Sequence, residues 1–183
     1  MVLPDNVLFE GNVGKQIRID LMDKCNLHTI LRLPTGIFYA QGVKTNVLFF
    51  TRGQTDRGNT KEVWVYDLRS NMPQFGRRTV LTREHFAGFE KAFGRDPLGS
   101  PKSLAKRKDT GEEGRFRKFT RAWIAERGDN LDISWLKDDS GGGSELAEPA
   151  VLAREAMAEL EGAIEELRGI LVELGEEVGE VEG

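Results

Sequence analysis

Ser140-Gly141-Gly142-Gly143-Ser144 divides the 183-residue chain into two pieces. Three consecutive glycines between serines offer no packing side chain and are entropically costly to order. Neither a helix nor a strand is expected to run through them. The charge changes sign at the same place. Residues 145–183 carry 12 acidic and two basic side chains, a net of −10, while residues 1–144 carry a net of +6. The overall −4 conceals this split. We therefore expect a body over 1–139, a flexible linker over 140–144 and a separate element over 145–183.

The second piece has the cleanest pattern. Ala153, Met157, Leu160, Ile164, Leu167, Leu171, Leu174, Val178 and Val181 recur at spacings alternating between four and three. That is the a/d seam of a coiled-coil-type helix. Gly162, Gly169, Gly175 and Gly179 each cost about 1 kcal/mol relative to alanine. With so much negative charge, a lone helix is marginal. The seam running from Met157 through Leu160, Ile164, Leu167, Leu171, Leu174 to Val178 needs a partner helix. A second copy of the chain and a helix on another protein satisfy it equally.

The body reads as α/β. Met1–Leu3 has the texture of a strand end stopped by Pro4. Residues 13–25 place Ile17, Leu21 and Met22 on one helical face, opened by Gly11-Asn12. Residues 27–33 predict a strand closed by Pro34. The run over 43–51 predicts a strand buried on both faces. Residues 62–67 alternate and predict another, with a polar hairpin loop over 52–59 between these last two. Thr82 opens a helix to about Phe93. A long Gly/Pro/Lys-rich loop over 94–114 follows. Phe116, Phe119, Trp123 and Ile124 then stand at helical spacing.

The composition excludes several classes. No apolar run approaches the roughly 18 residues of a membrane span, and the N-terminus lacks the regions of a signal peptide. The single cysteine, Cys25, forms no internal disulfide, and two histidines, His28 and His85, make no zinc pattern. The expectation is a cytoplasmic protein without a metal. No nucleophile–base pair or Walker loop is visible. Asn71-Met72-Pro73-Gln74-Phe75 lacks the second proline of an Asn-Pro-Pro-Phe motif and reads as a turn.

One stretch is specific. Residues 2–10, Val-Leu-Pro-Asp-Asn-Val-Leu-Phe-Glu, and 27–50, Leu-His-Thr-Ile-Leu-Arg-Leu-Pro-Thr-Gly-Ile-Phe-Tyr-Ala-Gln-Gly-Val-Lys-Thr-Asn-Val-Leu-Phe-Phe, carry it. They closely resemble the modification subunit of type I restriction–modification systems, in the N6-adenine DNA methylase family. The resemblance continues through Trp64–Arg69, Phe86–Glu90, Arg115–Phe119 and Asn130–Leu136. It implies the last strands of a Rossmann-like methyltransferase sheet, one of them antiparallel. In family terms Met1–Leu3 is the fifth strand, Leu27–Leu33 the sixth and Val43–Thr51 the antiparallel seventh. The family's earlier strands, its glycine loop for S-adenosylmethionine and its Asn-Pro-Pro-Phe lie outside this sequence. A truncated or split enzyme is expected, inactive alone, binding no cofactor by itself and exposing an association-prone edge at Met1–Leu3.

The resemblance also assigns roles. Phe38, after Pro34-Thr35-Gly36, falls where the family stacks a side chain on the extruded adenine, with Tyr39 adjacent. Lys44 is expected at a DNA phosphate. So is the basic segment Lys102, Lys106, Arg107, Lys108, Arg115, Arg117, Lys118 and Arg121. The implied partners are double-stranded DNA, the specificity subunit on the tail and an N-terminal methyltransferase half. S-adenosylmethionine is the cofactor of the complete enzyme. The alternative is a non-catalytic interaction protein that dimerises through its helix. A stand-alone DNA-binding module rests only on the +6 body.

Overall fold

The computed structural model describes residues 1–37, 43–73, 75–76 and 79–137, together with Met157, Ile164, Arg168 and Leu171. The chain divides into two compact units, Met1–Ser140 and Gly141–Gly183.

The first unit is a five-stranded mixed sheet. Its strands are β1 (Val2–Pro4), β2 (Cys25–Arg32), β3 (Thr45–Arg52), β4 (Glu62–Asp67) and β5 (Phe116–Thr120), in the order β1-β3-β2-β4-β5. β3 runs antiparallel between β1 and β2, β4 is parallel to β2, and β5 is antiparallel to β4. Thus β1, β2 and β4 point their carboxyl ends to one edge of the sheet. The helices are α1 (Asn6–Phe9), α2 (Asn12–Lys24), α3 (Ala87–Phe93), α4 (Pro101–Leu104) and α5 (Arg121–Glu126).

Residues 52–59 do not form the expected hairpin. β2 lies between β3 and β4, so the connection crosses the amino end of β2. It is fastened to the α2–β2 junction there. The Gly53 and Thr60 amides donate to the Lys24 and Met22 carbonyls at 2.9 and 3.0 Å. The Thr60 hydroxyl accepts from the Leu27 amide and donates to the Cys25 carbonyl. Thr60 supplies the partners that a strand end lacks.

The two faces of the sheet hold two cores. Val63, Val65 and Phe119 join Met22, Leu27 and Ile30 on one face. Trp64, Tyr66 and Phe116 join Leu31, Phe89 and Phe93 on the other. β4 therefore alternates in side-chain size rather than polarity, because both of its faces are covered. A register shift between Leu27 and Thr29 explains how Leu27 and Ile30, three apart, share a face.

Two further expectations are corrected. Phe116 and Phe119 lie on β5, not on a helix. An i, i+3 pair falls on one side of a helix but on opposite faces of a strand, and here the two rings enter different cores. On α2, Met22 is buried but Ile17 is 59% exposed, and Arg18 is buried in its place. Arg18 is tolerated because its guanidinium donates to the Asp129 and Val7 carbonyls at 2.8 and 3.0 Å. The 94–114 loop also contains α4. The turn at Thr82 is capped reciprocally by the His85 side chain and opens a short 3-10 turn, Arg83–Phe86, before α3.

In the second unit, Met157, Ile164, Arg168 and Leu171 are helical, and the three apolar ones are exposed. They stand seven apart on the expected seam. Leu160, Leu167, Leu174 and Val178 lie outside the described residues.

His28 is fully buried between Phe49 and Phe93. Burial and the nearby Arg107 charge push its pKa down from 6.5 to about 4. The unfolded chain therefore binds this proton at higher pH than the folded one. We predict that stability falls as pH drops from about 6.5 towards about 4. His28→Gln should flatten that part of a urea-midpoint profile, and an unchanged slope would show that His28 is not its source.

Candidate functional site

The carboxyl edge of the sheet is where ligands of open α/β folds bind. Here it carries a charged network that the sequence did not announce. Arg69, just beyond β4, pairs with Asp5, just beyond β1, through two hydrogen bonds of 2.8 and 2.9 Å. Its other donors reach the Leu33 carbonyl at 3.0 Å and the Thr45 carbonyl at 3.1 Å. Leu33 ends the β2 side of the 34–44 connection and Thr45 begins its β3 side. One guanidinium thus staples both stems of that loop to β1 and β4.

The stem is closed by further bonds. The Leu33 amide donates to the Thr45 carbonyl at 3.0 Å, and the Asp5 amide donates to the Lys44 carbonyl at 2.9 Å. The Asn46 side-chain amide donates to Asp5 at 2.6 Å. Burial raises the Asp5 pKa, but the Arg69 and Asn46 hydrogen bonds and the charges of Arg69 and Arg32 outweigh it and hold the carboxyl below its ordinary value. Beside this pair, Arg32 lies within 3.4 Å of Asp67 and 3.3 Å of Asp132. Asp67 also accepts from the Arg69 and Ser70 amides and the Ser70 hydroxyl. Burial and the neighbouring Arg69 lower the Arg32 pKa. Among the described residues, Arg32 Nε, Thr45 Oγ1 and Asn46 Oδ1 are buried without a partner.

The loop leaves the stem through Pro34, Thr35 and Gly36. Gly36 has φ +83°, and a Cβ there would collide with the Phe75 carbonyl oxygen. Only glycine fits both demands. The Phe75 amide donates to the Thr35 carbonyl at 3.3 Å, so the segment after β4 braces the start of the loop. An apolar cavity of about 580 Å³ lies there, lined by residues that include Leu31, Leu33, Ile37, Phe75 and Phe86.

Phe38 and Tyr39, the expected base-stacking residues, lie outside the described residues. Lys44 is exposed at the stem, and Lys102, Lys106 and Lys108 are exposed on and after α4. The arginines divide differently. Arg107 is buried and donates to Thr29 Oγ1 at 2.8 Å and to the Phe93 carbonyl at 3.1 Å, so its donors are not available to a phosphate. Arg115 donates to the carbonyls of Asp67 and Ser70 at 3.0 and 2.7 Å and ties β5 to the end of β4. Arg117 lies over the Phe119 and Trp135 rings. Lys118 pairs with Glu62, and Arg121 with Asp129. The expectation that the whole run faces phosphate is therefore corrected for Arg107 and Arg115. Both are half-buried or deeper and are committed to the chain's own carbonyls.

The family model for N-6 DNA Methylase matches residues 1–137. The chain belongs to the N-6 DNA methylase family. A second model, for the C-terminal domain of the type I restriction enzyme methylase subunit, matches residues 146–180. Relatives include the EcoKI methylase subunit of Escherichia coli strain K12, 54% identical over 96% of this chain, and the StySJI methylase subunit of Salmonella typhimurium strain LT2, 53% identical over the same share. This chain spans 38% of the length of each. Among solved structures, the EcoKI M protein superimposes with a TM-score of 0.69 at 51% identity, covering 96% of this chain and 40% of that one. A chain from work on complex assembly of the type I R-M system gives 0.57 at 26% identity, covering 98% of this chain and 36% of that one. The resemblance read from residues 2–10 and 27–50 is thus shown. The sheet order also places the antiparallel strand between the two that the family reading numbers fifth and sixth.

The family implies S-adenosylmethionine. At the sheet's carboxyl edge, Asp5 and Asp67 are already held by Arg69, Asn46, Arg32 and Ser70, and the adjoining cavity is lined by apolar side chains. At that edge, Asp5 and Asp67 are therefore not free to hold a ribose, and the cavity beside them does not offer a polar pocket for that cofactor. Nor does any helix among them have the length and apolarity to cross a membrane.

Removing Arg69 takes from Asp5 its paired charge, leaving it the Asn46 hydrogen bond, and takes a donor from each loop stem. Arg69→Ala is expected to cost about 3 kcal/mol. Adding Asp5→Ala to it should cost little more, because the two act as one unit. Fully additive losses in urea titrations would show that the pair does not form the staple.

Proposed function

We propose that this chain is the target-base-facing part of an adenine-N6 DNA methyltransferase of the type I restriction–modification kind. The Arg69 staple is the observation that carries the reading. It fixes the stems of the 34–44 loop at the carboxyl edge of the sheet, where Phe38 and Tyr39 meet an adenine flipped out of the duplex. Aromatic stacking suits that task because every base presents a π-face. Lys44 and the exposed Lys102, Lys106 and Lys108 face DNA phosphates, and Arg117, Lys118 and Arg121 contribute charge beside them. S-adenosylmethionine and the catalytic clamp on the adenine amino group belong to the N-terminal methyltransferase half. The 145–183 segment docks on helices of the specificity subunit, which reads the DNA sequence. The protein acts in the cytoplasm on the duplex.

Two exposed apolar surfaces support a need for partners. Phe9 on α1, Val13 and Ile17 on α2, and Val2 on the short edge strand β1 are exposed. This surface suits the N-terminal half. Met157, Ile164 and Leu171 suit a helical partner. The same three residues favour the second reading, a non-catalytic protein that dimerises through its helix. A stable dimer indifferent to the N-terminal half and the specificity subunit would support it.

Reconstitution tests the first reading. The chain is combined with the upstream region of the Escherichia coli relative and its specificity subunit, and N6-methyladenine is counted. Methylation is expected only with all three. Phe38→Ala should lower the rate by about 5- to 150-fold, the equivalent of losing one stacked base at about 1–3 kcal/mol. A full rate for that variant would refute the stacking role.

A further inference from the structure

We propose that a second, separate cleft on this chain, between the end of α3 and α4, grips a backbone phosphate of duplex DNA at a distance from the target-base loop. The cleft encloses about 440 Å³ and is lined by Lys91, Arg95, Asp96, Lys102, Lys106 and Arg107, among others. Lys91 and Arg95 belong to no basic run and had no assigned role. Folding brings them against Lys102 and Lys106 across the 94–100 turn.

The electrostatics of the cleft are one-sided. The side chains of Lys91, Arg95, Lys102 and Lys106 form no ion pair or hydrogen bond among the described residues. The acid in the lining, Asp96, is already occupied. It accepts from the Leu98 amide at 3.0 Å, the Ser100 amide at 2.9 Å and the Ser100 hydroxyl at 2.5 Å. Hydrogen bonds from the Ser100 side chain and from the backbone hold it below its ordinary pKa. Behind it, Arg107 is buried with its guanidinium 4.7 Å from the Phe93 ring centre and its donors on internal oxygens. It offers no hydrogen bond to a ligand, but its charge acts through a poorly screening interior. Four free cations and one buried cation therefore face one ionised acid whose oxygens are already hydrogen-bonded within the chain.

The chemistry favours phosphate over carboxylate. Lysine ammonium groups are point charges that suit a phosphate approached from several directions, whereas the arginine fork serves carboxylate and phosphate alike. One such fork, Arg95, is free here. The cleft also presents no strand edge on which an acidic peptide could lie. Its location separates it from the loop. Arg107 contacts β2 at Thr29, roughly 13 Å along the strand before Leu33.

The inference rests on the DNA reading above for its ligand, and the experiment keeps the two apart. Binding of the full chain to a labelled 20-base-pair duplex is followed by fluorescence anisotropy between about 50 and 200 mM salt. The double variant Lys91→Gln/Arg95→Gln and the single variant Arg95→Gln are compared with Lys44→Gln at the loop stem. Each neutralised phosphate contributes about 0.9 to the slope of log affinity against log salt. The cleft variants are expected to flatten that slope by about 1 to 2 and to weaken low-salt binding about tenfold. If Lys44→Gln weakens binding while both cleft variants match wild type, the cleft inference fails and the DNA reading stands. If the cleft variants flatten the slope while Phe38→Ala methylates at full rate on reconstitution, the cleft stands and the stacking reading fails. Polyglutamate that binds wild type but not the cleft variants, with duplex binding unchanged in all, would assign the cleft to an acidic protein and overturn the proposal.

Discussion

The pairing of Arg69 with Asp5 is the interaction on which the functional edge depends. It joins residues 64 apart, beyond the ends of β4 and β1, and reaches across β2 and β3 to do so. The same guanidinium holds the Leu33 and Thr45 carbonyls, so the loop between them begins and ends on a fixed frame. A loop anchored in this way can be long without making its stems soft. The cost is a group of partly desolvated charges, offset by the ion pairs and hydrogen bonds among them, although Arg32 Nε, Thr45 Oγ1 and Asn46 Oδ1 stay buried without a partner among the described residues. Arg32, Asp67, Asp132 and Asn46 complete the matching around it.

The rest of the sheet gives that frame its rigidity. β2 and β4 are buried on both faces, and their side chains alternate between two cores rather than between core and water. The 53–61 crossover lies over the amino end of β2, at the opposite end from the staple. Arg107 then ties the third layer to the sheet by reaching from beyond α4 to Thr29 while covering Phe93. A basic residue that looked solvent-directed in the sequence is a packing element. Its neighbours Lys102 and Lys106 keep the outward role.

Much of the fold was legible. The strands at 25–32, 45–52 and 62–67 follow from apolar runs bounded by Pro34 and by polar turns, and the extent of α2 was legible although Ile17, read on its apolar face, is exposed. What was not legible had physical causes. The i, i+3 spacing of Phe116 and Phe119 suits one face of a helix and two faces of a strand equally, and tertiary context chose the strand. The 52–59 connection has hairpin composition, but pairing of β4 with β2 is a long-range event that local turn chemistry does not encode. The burial of Arg18 and Arg107 was not visible in the sequence, because burying a guanidinium depends on carbonyls supplied by distant segments. For the site, the resemblance indicated the loop and its aromatics. The staple was missed, although Asp67-Leu68-Arg69 at a strand end and Arg32 between Leu31 and Leu33 were visible as charges placed against the apolar pattern.

The central claim is that the loop stapled by Arg69 presents its aromatic side chains to a base extruded from DNA. It is tested most directly by placing 2-aminopurine at the target adenine and reading its fluorescence in the reconstituted assembly. Wild type is expected to flip the base and quench it by stacking, and Phe38→Ala to leave it flipped and bright. Equal fluorescence from the two assemblies, with DNA bound in both, would contradict the account.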